Sequence, residues 1–275
     1  MIARVFPTRT NATPDDDLAF YGLPPWFVQD VDEVHVSVVF EWDKRNADIL
    51  AENWKEIAPV KLGGPAYGDR GGDFVPGKYL KKGYVITSRG CPNKCWFCSV
   101  WKREGELREL TITEGWNVLD DNLLACSDNH IKSVFSMLKE QKHPIEFTGG
   151  LEAKRLKTWH VDELTKIKPK QMFFAYDTTD DYEPLVFASK MLLDAGFTRA
   201  SHALRCFVLI GFDTDTIEKA EKRLMDTLSL GFFPMAMLYR NMNEPSREWK
   251  RFQRMWTRPA IISRAWRDDN EAIPV

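Results

Sequence analysis

Apolar residues recur along the chain in two rhythms. Val34, Val36 and Val38 alternate with His35 and Ser37, the period of a half-buried strand. Ala47, Leu50, Trp54 and Ile57 then follow at helical spacing before Val60 to Leu62 returns to a strand. Gly63-Gly64-Pro65 closes this small strand-helix-strand unit, and Ala66 to Lys82, rich in Gly, Asp and Lys, reads as a linker. The first 30 residues mix Pro, Asp and Thr with scattered aromatics and read as an irregular arm.

From Gly83 the two rhythms alternate regularly. Short apolar strands are expected at Tyr84 to Ser88, Asn117 to Leu119, Ile145 to Thr148, Met172 to Tyr176, Cys206 to Ile210 and Met235 to Tyr239. Between them run helical stripes: Ile131, Val134, Phe135 and Leu138; Leu185, Ala188, Leu192 and Ala195; Ile217, Ala220, Leu224 and Leu228. Ala195-Gly196-Phe197 and Leu230-Gly231-Phe232 each place a glycine where a left-handed helix cap belongs. Strands alternating with helices argue for parallel strands joined by crossovers. The expected fold is α/β, a partial (βα)6 barrel with a small N-terminal strand-helix-strand extension, and its chemistry is expected at the carboxyl ends of the strands. The expected division is 1–82 for the N-terminal arm and extension, 83–241 for the barrel and 242–275 for a C-terminal helical extension. In that extension Trp249, Phe252 and Trp256 share one helical face, so packing explains this basic, aromatic segment better than nucleic-acid contact.

Composition narrows the classes. The 275 residues, 44% of them hydrophobic, suffice for a full core, and a formal net charge of −2 gives no general attraction for nucleic acid. No apolar run has the ~18 residues that span a bilayer and none resembles a secretory leader, so the reading is of a cytoplasmic protein without membrane contact. The cysteine count is 5, an odd number, and Cys91, Cys95 and Cys98 crowd together in a way that suits a metal site in a reducing compartment better than a disulfide framework.

Those three thiols lie in Ser88-Arg89-Gly90-Cys91-Pro92-Asn93-Lys94-Cys95-Trp96-Phe97-Cys98, directly after the first barrel strand. A cubane has four irons, so three cysteines leave one iron open to another ligand. A structural zinc site completed by Cys126 or His130 is the rival reading. Cys126 and Cys206 otherwise read as small buried apolar residues. Glu146, Arg205 and Arg240, on or beside apolar strands, either pair with one another or line a substrate cavity. The histidines read as structural, His202 being a weak candidate for substrate contact.

The CxxxCxxC spacing with Phe97 before the last cysteine resembles the radical S-adenosylmethionine superfamily, over about Gly83 to Tyr239. The resemblance implies that Cys91, Cys95 and Cys98 hold a [4Fe-4S] cluster as metal ligands. It implies that S-adenosyl-L-methionine chelates the open iron, and that its reductive cleavage gives a 5'-deoxyadenosyl radical that abstracts hydrogen from a substrate. It implies further that Phe97 helps seat the adenine, that Tyr176 and Asp177 contact the ribose, and that Val208-Leu209-Ile210-Gly211 flank the adenine. For the cofactor's amine two segments remain open: Gly149-Gly150-Leu151-Glu152, which resembles the family's GGE with a leucine inserted, and Asp120-Asp121-Asn122, which resembles an acidic variant. An electron donor such as flavodoxin or ferredoxin is implied as partner.

Tyr176, Asp177, Arg205 and Arg240 are the polar residues expected over the lumen near the reacting carbon, and the two arginines favour an anionic small-molecule substrate. The N-terminal unit ending at Gly63-Gly64-Pro65 resembles the last part of the cobalamin-binding domain of one branch of the superfamily, here read as a truncated remnant without cobalamin, since no DxHxxG segment occurs. A reading from another class is a metal-stabilised module that binds RNA or a partner protein.

Overall fold

The computed structural model describes residues 1–28, 30–240, 245–258 and 260–264. It is an α/β fold that divides into two compact units, Met1–Asn117 and Val118–Val275. Among the described residues no helix is long and apolar enough to cross a membrane.

The first unit is built on a parallel four-stranded sheet in the order β2-β1-β3-β4, with β1 at Ile2–Phe6, β2 at Ala19–Tyr21, β3 at Glu33–Ser37 and β4 at Val60–Gly63. Ala3, Val5, Val34, Val36 and Val38 meet Ala47, Leu50, Ala51 and Trp54 of α1 (Lys44–Trp54) in one core, while Ile57, past the helix end, is exposed. Burying each such side chain contributes about 1.5–3 kcal/mol for the larger ones.

The first 30 residues, expected to be irregular, therefore hold two strands, one of them interior to the sheet. The reason lies in Arg4. Its charge breaks the apolar run of Ile2-Ala3-Arg4-Val5-Phe6, yet the residue is buried, its guanidinium donating to the carbonyls of Gly77 (2.9 Å) and Lys78 (3.0 Å) and to Asp16. The same bonds fasten part of the expected linker to the unit.

Next come β5 (Tyr84–Val85), β6 (Ser88–Arg89), α2 (Val100–Arg103), β7 (Arg108–Glu109) and β8 (Asn117–Val118). The Gly83 carbonyl accepts from the N–H groups of Trp116 (2.8 Å) and Asn117 (3.0 Å), tying the start of β5 to that of β8. Trp116 lies so close that a Cβ on Gly83 would come within 2.2 Å of its ring.

In the second unit β8 is followed by α3 (Asp128–Lys139), β9 (Glu146–Gly150), α4 (Thr158–Ile167), β10 (Gln171–Ala175), α5 (Tyr182–Asp194), β11 (Leu204–Ile210), α6 (Ile217–Ser229), β12 (Phe233–Leu238) and α7 (Arg247–Met255). The strands lie in the order β12-β11-β10-β9-β8, and the four from β9 to β12 pair in parallel. Each expected barrel strand thus has a counterpart, shifted by a few residues at most.

The stripe of α3 is buried in full, and those of α5 and α6 are buried except at Ala195 and Ile217. Both glycine caps form as read. Gly196 N–H donates to Leu193 and Phe197 N–H to Leu192, while Gly231 donates to Leu228 and Phe232 to Thr227, with φ of +99° and +91° at the glycines. Each is the paired bond pattern that ends a helix on a left-handed residue and turns the chain back to the sheet. Phe252 and Trp256 of the C-terminal segment are buried, and Gln253 Nε2 donates to the Ala236 carbonyl at 3.4 Å.

Candidate active site

In the first unit, β6 pairs antiparallel with β7, Ser88 opposite Glu109 and Arg89 opposite Arg108, so the cysteine loop leaves and re-enters one short ladder. The chain departs through Gly90 at φ +83°, where a Cβ would stand 2.5 Å from the Glu106 carbonyl oxygen; no other residue fits that turn. Within the loop Cys98 N–H donates to Cys95 O (3.1 Å), as does Trp101 Nε1 (3.0 Å). Val100 N–H points at Cys98 Sγ (3.4 Å), an amide contact of the kind that surrounds ligating sulfurs.

Cys91, Cys95 and Cys98 are half-buried, and none of the five cysteines is in a disulfide. Phe97 is half-buried with its ring edge-on to that of Trp96 at 5.3 Å.

Among the described residues no three His, Cys, Asp or Glu side chains converge on a point that would hold a single metal ion. Tetrahedral zinc asks for four ligands about 2.0–2.3 Å from one centre. A cubane takes one thiolate per iron and asks for less convergence. Three half-buried thiols on one short loop, one of them facing an amide, fit that donor set.

What holds the loop was not read from the sequence. Glu104, 1% exposed, accepts from Arg103 Nε (3.0 Å), Arg108 Nη2 (3.1 Å) and Gly71 N–H (3.1 Å), with Arg89 Nη1 at 3.9 Å. Arg89 and Arg108 also donate to the carbonyls of Gly72 (3.2 Å) and Gly71 (2.9 Å). A Cβ on Gly71 would sit 2.3 Å from the Arg89 guanidinium carbon. The expected linker is thus sewn to both flanks of the cysteine loop. The available signal was three arginines flanking the motif, Arg89, Arg103 and Arg108, with Glu104 and Glu106 among them.

In the second unit, the two segments left open for the cofactor amine prove to be neighbours. A Cβ on Gly149 would lie 2.3 Å from the Asp120 carbonyl oxygen, and Asn122 Nδ2 donates to Glu152 Oε2 at 2.7 Å. Asp120 and Asn122 are buried, and Arg155 Nε donates to the same Glu152 oxygen at 2.6 Å.

The inserted leucine has a role here. The pairing of β9 with β10 slips from Phe147–Met172 to Gly150–Phe173, and Leu151 N–H then donates to Phe173 O at 2.9 Å with its side chain buried. β9 thus advances three residues against one on β10, an irregularity that leaves Thr148 and Gly149 without partners in this ladder, and Glu152 follows at the strand's carboxyl end.

Beyond, the sheet has two unlike faces. Met172, Phe174, Leu204, Cys206, Val208 and Ile210 are at most 1% exposed on the face covered by helices. Cys206 meets Thr227 of α6, and burial pushes its thiol well above the ordinary value. Tyr176 has the parity of this face: its ring lies 5.7 Å from that of Tyr182 in α5, and burial first, then Asp226 of α6, push its hydroxyl up. Strand alternation therefore turns Tyr176 away from the expected lumen.

Asp177 has the other parity. Its Oδ1 accepts from Leu209 N–H (3.1 Å), and Asp181 accepts from the N–H groups of Asp177 and Thr178 (2.9 and 2.8 Å). Burial, followed by the charge of Asp181, raises Asp177 to about 7. Gly211 at φ +75° donates its N–H to Asp215 (2.8 Å), and Arg223 grips both Asp215 oxygens (2.8 and 3.1 Å) and the Leu209 carbonyl (2.8 Å), which fixes the end of β11.

Arg205 shares the face of Asp177 but is the second residue of β11, at its amino-terminal end, so it does not join Asp177 at the carboxyl ends as expected. Arg240 follows β12 at the carboxyl end and is exposed.

No protein-family model matches the sequence, and no curated protein matches it either. Solved structures do. The radical S-adenosylmethionine methyltransferase TsrM from Kitasatospora setae, in a structure with cobalamin and a [4Fe-4S] cluster bound, aligns with a TM-score of 0.58 and 10% identity over 86% of this chain and 74% of that one. The same enzyme with tryptophan substrate and an S-adenosylmethionine analogue aligns with a TM-score of 0.56, at 10% identity, over 86% and 72%. At this identity the likeness is one of fold.

Proposed function

We propose that the chain is a radical S-adenosylmethionine enzyme built on a partial (βα)6 barrel. The observation that carries this reading is the CxxxCxxC loop, held by a dedicated buried network, in a chain that shares the fold of an enzyme of that chemistry. When bound, a [4Fe-4S] cluster supplies one electron that cleaves S-adenosylmethionine to methionine and a 5'-deoxyadenosyl radical.

The chain's own residues do the rest. Cys91, Cys95 and Cys98 are the cluster ligands, and the Val100 amide contacts the sulfur of Cys98. Asp120, Asp121 and Asn122 act together with Gly149, Gly150 and Glu152 toward the cofactor's amine, since Asn122 and Glu152 are hydrogen-bonded. Gly149 keeps the two strand ends at contact distance. Asp177 and Gly211 serve the ribose and adenine, Phe97 the adenine, and an electron donor such as flavodoxin or ferredoxin reduces the cluster. Anaerobic reconstitution with iron and sulfide, followed by dithionite and S-adenosylmethionine, tests the reading through 5'-deoxyadenosine release.

One observation favours a second reading, methyl transfer with a corrinoid on the first unit. Val118–Val275 is little more than half of the chain, so a match over 86% of it takes in much of the first unit, whose parallel sheet is fuller than a truncated remnant. A shift in the absorption spectrum of hydroxocobalamin on titration with the protein decides this reading.

A further inference from the structure

Arg205 lies on the sheet face turned away from α5 and α6, with its guanidinium over the ring of Phe173 at 5.7 Å and that of Phe233 at 5.6 Å. Its Nε is buried without a hydrogen-bond partner, and among the described residues no carboxylate stands within ion-pair distance. Glu146, whose charge reaches it, is taken up by Lys170 Nζ (2.8 Å) and Gln171 Nε2 (2.9 Å). A guanidinium stays charged, and holding it half out of water without acceptors is costly. Two phenyl faces offset part of that cost, but they leave its in-plane N–H fork unused, and that fork matches a planar anion.

From Arg205 toward the carboxyl ends, the side chains of β11 and β12 on this face are apolar and partly open. Phe207 stacks on Phe173 at 4.3 Å and pairs with Met235 across the ladder, while Leu209 pairs with Met237, which is 43% exposed. From Arg205 to the level of Leu209 and Asp177 is four residues of strand, about 13 Å.

We propose that this face binds an elongated carboxylic acid, its carboxylate on the fork of Arg205 and its apolar body over Phe207, Met235 and Met237. The far end of the molecule then reaches the carboxyl ends of the strands, and only the identification of that molecule as the substrate rests on the radical reading above.

Calorimetric titration of the full chain with 4-phenylbutyrate, 4-phenylbutan-1-ol and the phosphate monoester of that alcohol tests the proposal. Charge-assisted hydrogen bonds predict that the acid binds about 10-fold or more tighter than the alcohol. Arg205→Met should abolish that preference. Arg205→Lys, which keeps charge and bulk and so protects the fold, should lower affinity for the acid several-fold by losing the fork. Equal affinity for acid and alcohol, a preference that survives Arg205→Met, or an unchanged affinity in Arg205→Lys overturns the proposal. Tighter binding of the phosphate ester overturns the carboxylate assignment. None of these titrations needs a cluster or S-adenosylmethionine, so 5'-deoxyadenosine release, measured separately, reports on the functional reading by itself.

Discussion

The cysteine loop of the first unit and the strand ends of the second are held in place by opposite means. The loop has little regular structure, and its position depends on one buried carboxylate, three arginines and two glycines whose Cβ positions are already occupied by other atoms. The strand ends are held by an apolar layer behind them, with left-handed glycines returning each helix to the sheet. A polar clamp concentrates its energy in a few bonds and fails when one is cut. An apolar layer spreads its energy over many contacts and yields gradually.

The largest expected effects fall on the loop. Cys91→Ala, Cys95→Ala and Cys98→Ala should each abolish the intact cluster, measured as iron per chain and visible absorption, whereas Cys126→Ala and Cys206→Ala should retain both. Next comes Glu104→Ala, which leaves Arg89, Arg103 and Arg108 facing one another without a counter-charge. A loss of about 3 kcal/mol is expected in urea unfolding, at the low end for a broken buried ion pair because the arginines keep some water. A loss below about 1 kcal/mol would show that the clamp is not what holds the loop.

On the sheet side, Gly149→Ala drives a Cβ against the Asp120 backbone. It should cost about 1–3 kcal/mol and weaken S-adenosylmethionine binding more than it lowers stability, as read by equilibrium dialysis against the urea midpoint.

The smallest effect is a pH slope. Asp177 sits at about 7 when folded against 3.8 for an ordinary aspartate, so between those values the folded chain holds a proton that the unfolded chain has released. Its contribution to stability is therefore complete below about pH 4 and is lost as the pH rises through 7. Asp177→Asn should flatten the urea midpoint over that interval, and an unaltered slope would remove Asp177 as its source.

The same contrast explains what could be read from sequence. Periodicity found the strands from Tyr84 onward and the stripe of α3, because burial there follows the 2.0 and 3.6 rhythms. It missed β1, where a buried Arg4 interrupts the rhythm, and the Glu104 clamp, which joins positions as distant as Gly71 and Arg108. The cysteine motif announced itself by spacing. The adjacency of Asp120 to Asn122 with Gly149 to Glu152 did not, since it arises from neighbouring strands and an irregularity in pairing. Tyr176 and Arg205 were misplaced for a geometric reason: a one-residue change in parity reverses the face, and position along a strand decides which end a side chain serves.

Whether the cysteine loop carries a radical-generating cluster is decided by anaerobic reconstitution followed by quantification of iron and of 5'-deoxyadenosine after dithionite and S-adenosylmethionine are added. About four irons per chain are expected, with 5'-deoxyadenosine and methionine released in equal amounts and both lost in Cys95→Ala. A folded protein that retains zinc in place of iron and yields no 5'-deoxyadenosine would contradict the radical reading.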